Sequence, residues 1–132
     1  MIQKDTSVSK AKISIMLVED DRIVAELLNH LLTRSGIIVQ IAKNGRQAIE
    51  ILDSQKPANL VLLDIMMPLA DGFEVLSKIR SHQNWSEVPA IMLTSKAQKF
   101  NIDRAFESGA NDYLVKPFKP NDLIQKINRL IK

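Results

Sequence analysis

Short apolar runs alternate along the chain with longer stretches in which apolar residues recur every three or four positions. The run 60–63 is too continuous for a half-exposed strand and too short for a helix, so it predicts a strand buried on both faces. Other predicted strands lie at 13–18, 37–42, 90–93 and 113–115. Helical spacing predicts helices over 21–34, from Asn44-Gly45 up to Pro57, from Ala70-Asp71-Gly72 to Ser81, over 98–109 and over 120–132.

A strand followed by a helix occurs five times in this pattern. Such alternation predicts a doubly wound α/β fold, with a five-stranded parallel sheet, right-handed crossovers and helices on both faces. Residues 1–12 are polar and lack periodicity, so they are predicted to form a flexible arm. The folded domain is expected to span residues 13–132.

Composition narrows the functional classes. The chain has 132 residues, 45% of them apolar and 25% charged, which is typical of one globular domain. It contains no cysteine, so disulfides and thiolate metal sites are excluded. The first residues lack the apolar segment of a secretory signal, and the apolar runs are too short to span a bilayer. We therefore expect a cytoplasmic protein without a membrane partner.

The net charge of +3 is distributed unevenly. Residues 96–132 carry 8 basic and 4 acidic side chains, which raises the question of nucleic-acid binding. These basic residues lack interleaved aromatic side chains, and lysines scattered along helices usually form a solvated face. Direct nucleic-acid binding is therefore not expected.

Polar and charged residues follow four of the predicted strands. Because the carboxyl ends of parallel strands meet at one edge of a sheet, these residues are predicted to lie together. Three neighbouring carboxylates would repel one another unless a cation held them, and oxygen ligands suit Mg²⁺. An ammonium and a hydroxyl beside them could stabilise a phosphoryl group. The residues concerned are Glu19, Asp20, Asp64, Thr94 and Lys116.

Each of these residues also has an ordinary structural interpretation. Asp64 could simply begin a turn, Thr94 could cap a strand end, and Lys116-Pro117 could terminate a strand. The side chains of Met66, Met67 and Phe118 are expected to contribute packing.

Four motifs together resemble those of the receiver domain of two-component response regulators. They are MLVED at 16–20, LLDIMMPLADG at 62–72, MLTS at 92–95 and GANDYLVKPF at 109–118. The resemblance covers residues 13–132. It implies a flavodoxin-like or CheY-like fold with strand order 2-1-3-4-5.

The resemblance also implies a role for each acid. Asp64 would be the phosphoacceptor. Asp20 and Asp64 would be direct ligands of Mg²⁺, together with the backbone carbonyl of Met66. Glu19 would act on the metal through water.

Three further residues receive roles from the same resemblance. Thr94 and Lys116 would hold the phosphoryl oxygens, and a cis bond between Lys116 and Pro117 would direct the lysine into the site. Tyr113 matches the aromatic residue that changes rotamer on activation, so Thr94 and Tyr113 are the predicted switch residues.

The function implied is that of a phosphoacceptor signalling module. A sensor histidine kinase, a phosphotransfer protein or a small phosphodonor would supply the phosphoryl group, and the chain would catalyse only reactions of its own aspartate. No output domain is expected within the chain, so its effect would come from binding a downstream protein. Residues 96–132 could also form a phosphorylation-dependent homodimer.

Rival functions are less compatible with the motifs. A haloacid-dehalogenase-type phosphatase needs a second Asp two residues after the nucleophile, where this chain has Met66. A dinucleotide-binding domain needs a Gly-rich turn after the first strand, where this chain has Glu-Asp-Asp. Two alternatives remain open: a receiver-like binding scaffold that does not depend on phosphorylation, and a receiver fragment of a longer regulator.

Overall fold

Five parallel strands form the central sheet of the computed structural model, which describes residues 12–67, 71–95 and 99–131. The strands are β1 (Ser14–Val18), β2 (Ile38–Ala42), β3 (Leu60–Asp64), β4 (Ala90–Thr94) and β5 (Asp112–Val115). The helices are α1 (Arg22–Arg34), α2 (Gly45–Ser54), α3 (Gly72–Ser81), α4 (Lys99–Glu107) and α5 (Pro120–Leu130).

The strand order is β2-β1-β3-β4-β5 and every neighbouring pair is parallel. This confirms the predicted doubly wound fold and the order 2-1-3-4-5. β3 lies at the centre, between β1 and β4, and all five of its residues are buried. The strand that ends in Asp64 is therefore buried along its whole length, as is its neighbour β4.

The core has two parts, one on each face of the sheet. Alternate residues of β3 contribute to them: Val61 and Leu63 to one part, Leu60 and Leu62 to the other. The first part includes buried residues of α2 and α3, and the second includes buried residues of α1 and α5. This continuous burial explains why the apolar run at 60–63 does not alternate.

Polar side chains cap the starts of α1, α2 and α3. Asp21 Oδ1 accepts hydrogen bonds from Ile23 N (2.9 Å) and Val24 N (3.2 Å) at the start of α1. Asp71 and Glu74 form a reciprocal capping box at the start of α3. α1 ends at Arg34, and Gly36 follows with a φ of 83°. Where they lie within the described residues, the predicted helix ends are confirmed to within about three residues.

Differences from the predicted boundaries are small. β2 begins one residue later than predicted, and because it is an edge strand Ile38 is half exposed. The predicted arm apart from residue 12, the helix start at Gln98 and the helix end at Lys132 lie outside the described residues. Within the described ranges, no helix is long and apolar enough to cross a membrane.

Candidate functional site

Three carboxylates converge at the carboxyl edge of the sheet. One oxygen from each of Glu19, Asp20 and Asp64 lies within 4.8 Å of the others. Glu19 and Asp64 are only 1% and 6% exposed, whereas Asp20 faces solvent. The predicted convergence of these three acids is therefore present, with two members buried and one accessible.

Strand pairing explains the convergence. β1 and β3 are neighbours and Val18 pairs with Leu63, so the next residues, Glu19 and Asp64, leave the sheet side by side. The backbone on both sides is held by the sheet: Glu19 N donates to Ala42 O (3.0 Å) and Ile65 N donates to Leu93 O (2.9 Å).

Lys116 reaches this acidic pocket from the end of β5. Its Nζ lies 2.9 Å from Glu19 Oε1 and 3.5 Å from Asp64 Oδ2. Its backbone N donates to Thr94 O (2.7 Å), and the Lys116–Pro117 peptide bond is cis, as the resemblance implied. The predicted lysine therefore contacts two of the three predicted acids.

The electrostatics of the pocket centre on Asp64. The pKa of its carboxyl is raised to about 7, mainly by burial and then by the hydrogen bond and negative charge of Glu19, against the opposing charge of Lys116. Burial alone would lower the pKa of Lys116, but its contacts with Glu19 and Asp64 outweigh burial and raise it. The lysine is thus held in its charged form beside two buried acids.

Met66 is the second residue after Asp64. Its backbone N donates to Asp64 Oδ1 (3.3 Å), so the Met66 backbone lies against the predicted acceptor. The role of its carbonyl as a metal ligand stays a prediction. Its side chain is 70% exposed, so the expected packing role is wrong for Met66, because this loop residue points away from the core. Met67 is buried and Phe118 packs against the second part of the core, as expected.

The two predicted switch residues lie on adjacent strands. Thr94 is buried and follows Leu93, which pairs with Asp64. Tyr113 is half-buried on β5, with its ring edge-on to Phe106 at a centroid distance of 6.0 Å. Their roles in switching stay predictions.

Gly72 positions the acceptor in a way that the sequence did not reveal. Gly72 N donates to Ile65 O (2.8 Å), and a Cβ at Gly72 would lie 2.3 Å from Asp64 O. Only glycine permits this close approach of α3 to the end of β3. The Asp71-Gly72 pair predicts a helix start, but the sequence alone does not indicate this close approach.

The contacts of Arg80, at the other end of α3, are also not predicted by the sequence. Its Nε and Nη2 donate to Gly109 O (2.9 and 2.7 Å), and its Nη1 donates to Val88 O (2.6 Å) and Ser86 O (3.2 Å). Burial lowers the pKa of this guanidinium. An arginine on an amphipathic helix ordinarily faces water, so the local sequence does not predict that Arg80 bonds to these backbone carbonyls.

A groove of about 620 Å³ runs beside the pocket, between α1 and the segment after β5. Leu27 of α1 is largely exposed in its wall, and Lys116 and Phe118 line the opposite side. Apolar surface is therefore available next to the acids.

Comparisons with known proteins agree with this geometry. Residues 15–128 match the family described as the response regulator receiver domain. The transcriptional regulatory protein SrrA of Staphylococcus aureus is 37% identical over 118 residues, which are 89% of this chain and 47% of that protein. The chain thus spans about half the length of the curated relatives that it matches.

Solved structures show the same fold. Chemotaxis protein CheY4 of Vibrio cholerae has a TM-score of 0.86 and 27% identity, over 91% of this chain and 99% of that one. The receiver domain of sensor histidine kinase PA1611 of Pseudomonas aeruginosa has a TM-score of 0.84 and 32% identity, over 92% and 98%. In that structure a magnesium ion is coordinated in the active-site cleft.

Receiver domains are signalling domains rather than classical enzymes, and they interact with histidine kinases and downstream proteins. The fold, the four motifs and the match over residues 15–128 agree. This chain belongs to the receiver-domain family of two-component response regulators.

Proposed function

We propose that the chain accepts a phosphoryl group on Asp64. The observation that carries this proposal is the contact of a buried strand-end aspartate with the ammonium of Lys116, 3.5 Å away, inside a cluster of three carboxylates. The donor is the phosphohistidine of a sensor kinase or phosphotransfer protein, or a small phosphodonor. The receiver unit that carries this chemistry is proposed to span residues 13–132, preceded by an arm.

The transfer is a displacement at phosphorus. A carboxylate oxygen of Asp64 forms the new P–O bond, the P–N bond to the donor histidine breaks, and the imidazole nitrogen keeps the electron pair. The attacking carboxylate must be ionised, which burial opposes. The charge of Lys116 favours the ionised form and so offsets part of that cost.

The donor atoms of the pocket fit Mg²⁺. They are carboxylate oxygens, two from buried residues and one from the exposed Asp20, and hard divalent cations prefer such ligands. Asp20 and Asp64, with the carbonyl of Met66, would hold the ion directly, and Glu19 through water. When bound, Mg²⁺ supplies positive charge that offsets the carboxylates and the incoming phosphoryl oxygens.

Lys116 and Thr94 are proposed to hold the phosphoryl group once it is on Asp64. Lys116 Nζ already lies between Asp64 and Glu19, and it can donate to a phosphoryl oxygen from that position. The hydroxyl of Thr94 belongs to the adjacent strand, one residue beyond the partner of Asp64. Movement of Thr94 toward the phosphoryl group would open space for Tyr113 to change rotamer.

Two kinds of protein partner follow from this proposal. A phosphodonor protein must bring its histidine to the carboxyl edge of the sheet, where the apolar groove beside Lys116 offers a contact surface. A downstream protein, or a second copy of this chain, would bind the face that Tyr113 borders. Phosphoryl transfer and partner binding are proposed to occur in the cytoplasm, where kinase phosphohistidines are available.

Intact-mass spectrometry with acetyl phosphate and Mg²⁺ tests the proposal. We expect an increase of about 80 Da, the mass of one added phosphoryl group, and its loss in Asp64→Asn. Asp53→Asn is the matched control, because Asp53 lies at the end of α2 and pairs with His82 outside the pocket (3.5 Å).

Three results would contradict the proposal. Labelling that persists in Asp64→Asn would mean that another residue is the acceptor. Labelling without metal would mean that the reaction does not require Mg²⁺. No labelling of the unaltered chain, with either acetyl phosphate or a phosphorylated histidine donor, would favour the scaffold that does not depend on phosphorylation.

A further inference from the structure

Met66 differs from the other described methionines in its exposure. Its side chain is 70% exposed, whereas Met67 is 9% exposed and Met16 and Met92 are fully buried. A thioether must meet an oxidant in solution before it can react. Met66 is therefore the most accessible of these four methionines to an oxidant.

The backbone holds Met66 at the acceptor. Asp64 Oδ1 accepts a hydrogen bond from Met66 N, and the preceding residue, Ile65, is buried and bonded to both β4 and α3. Ile65 N donates to Leu93 O (2.9 Å), and Ile65 O accepts from Gly72 N (2.8 Å). The Met66 side chain therefore begins at backbone that contacts Asp64, and it extends into solvent.

We propose that Met66 is an oxidation site whose state sets the lifetime of the phosphoryl group on Asp64. The oxidant is hydrogen peroxide: the thioether sulfur attacks one peroxide oxygen, the O–O bond breaks, the sulfur becomes a sulfoxide, and the other oxygen leaves as water. Methionine sulfoxide reductases reverse this modification. The inference rests on the proposed function, because it concerns the phosphorylated form of Asp64.

The effect follows from the change in polarity. A thioether is apolar and covers nearby groups without binding water, whereas a sulfoxide oxygen is a strong hydrogen-bond acceptor. Placed beside the acyl phosphate, it would hold a water molecule that can attack phosphorus, so hydrolysis should become faster. Because Met66 is exposed, adding this oxygen buries no polar group and should leave the fold intact.

Brief treatment with dilute hydrogen peroxide, ended with catalase, tests the inference on the full chain. We expect one added oxygen, about 16 Da, in the peptide that contains Met66. The chain is then phosphorylated with acetyl phosphate and the donor is removed. We expect the half-life of the phosphoryl group on Asp64 to fall about twofold or more relative to the untreated chain, because the barrier to hydrolysis falls by about a few tenths of a kcal/mol. The thermal unfolding midpoint should not change, and treatment with the two methionine sulfoxide reductases should restore the half-life.

Matched variants separate this effect from general damage. In Met66→Leu, peroxide should leave the half-life of that variant unchanged, whereas Met67→Leu should respond to peroxide as the unaltered chain does. Equal half-lives before and after oxidation of Met66 would overturn the inference alone, as would oxidation of Met67 before Met66. Absence of any adduct on Asp64 in the untreated chain would overturn the proposed function and this inference with it.

Discussion

Lys116 Nζ lies 2.9 Å from Glu19 Oε1, so the lysine after β5 and the acid after β1 form an ion pair across the carboxyl edge of the sheet. The Glu19 side chain is fully buried and that of Lys116 is largely so. A buried carboxylate without a partner is costly, and here the lysine supplies the partner. Lys116 is therefore a structural counter-ion as well as the proposed phosphoryl ligand.

This pairing predicts that Lys116→Met destabilises the metal-free protein. Removing one partner leaves Glu19 buried and unpaired, so we expect the free energy of unfolding in EDTA to fall by about 1–3 kcal/mol. Mg²⁺ should recover more of this loss than it adds to the unaltered chain, because it can replace the missing positive charge. Urea unfolding with EDTA and with Mg²⁺ measures both quantities.

Lys126→Met is the control for that experiment. Lys126 Nζ pairs with Asp112 at 3.0 Å, remote from the acidic pocket. Its loss should lower stability equally with and without Mg²⁺. If the stability loss of Lys116→Met is also the same with and without Mg²⁺, the lysine is not the counter-ion of the pocket.

Asp64→Asn should change how stability depends on pH. The pKa of Asp64 is raised from 3.8 to about 7 in the folded chain, so the folded state binds more protons than the unfolded state between those values. The free energy of unfolding contributed by this group is therefore largest in acid and falls as pH rises toward about 7. Without metal, Asp64→Asn should flatten this slope and raise stability at about pH 8 by about 1–3 kcal/mol.

Urea titrations in EDTA at several pH values test this expectation. Asp53→Asn is the control variant, because that carboxylate is exposed and lies outside the pocket. If Asp64→Asn is less stable than the unaltered chain at every pH, burial of the Asp64 carboxylate does not lower the free energy of unfolding and the prediction is wrong.

Met66→Asn should shorten the lifetime of the phosphorylated state. The apolar side chain lies two residues after Asp64 and can shield the acyl phosphate from water, whereas an amide can bind and orient a water molecule. Loss of phosphate after removal of the donor, followed by intact mass, measures the lifetime. An unchanged or longer lifetime in Met66→Asn would reject the shielding role.

Arg80→Lys should destabilise the fold by about 2–3 kcal/mol. Lysine keeps the charge but cannot reach the carbonyls of Gly109, Val88 and Ser86 together, so partly buried acceptors lose their donor. Arg104→Lys is the control, because Arg104 is exposed and stacks over Phe73 at 3.9 Å. Chemical denaturation should show a much smaller loss of unfolding free energy for Arg104→Lys. Equal losses in the two variants would contradict the stabilising role of the Arg80 hydrogen bonds.

Phosphorylation should alter the face formed by α4, β5 and α5. A phosphoryl group that draws Thr94 inward would free Tyr113 to move, and Tyr113 borders Phe106 of α4 and lies 5.8 Å from Lys126 of α5. With the phosphoryl mimic beryllofluoride, we expect amide exchange to change across residues 99–131. Unchanged exchange would exclude this face as the output surface.

Light scattering with and without beryllofluoride then separates the two uses of that face. A dimer that forms only with the mimic would support the proposed homodimer through residues 96–132, and a monomer in both states would leave docking on another protein. The ion pairs of Asp112 with Lys126 and Arg129 lie within one chain, so a dimer would have to rearrange or build on them. The Asp112–Lys126 pair is partly buried, whereas Arg129 is largely exposed.

The sequence by itself determined the order of elements, the parallel sheet and the edge at which the acids meet. Buried strands read as continuous apolar runs, helices as apolar residues three or four apart, and both signals are local. Once the strands are parallel, residues that follow Val18 and Leu63 must leave the sheet at the same edge. Glu19, Asp64 and Lys116 could therefore be grouped before any coordinates were known.

Only the tertiary structure decided which of these groups touch and what their surroundings do to them. The 2.9 Å contact between Lys116 and Glu19 joins residues 97 positions apart, and the raised pKa of Asp64 comes from burial by several elements. Arg80 donates hydrogen bonds to backbone carbonyls outside its own helix. Met66 is exposed because its loop turns away from the core. Propensity and periodicity describe one segment at a time, and such long-range contacts are invisible to them.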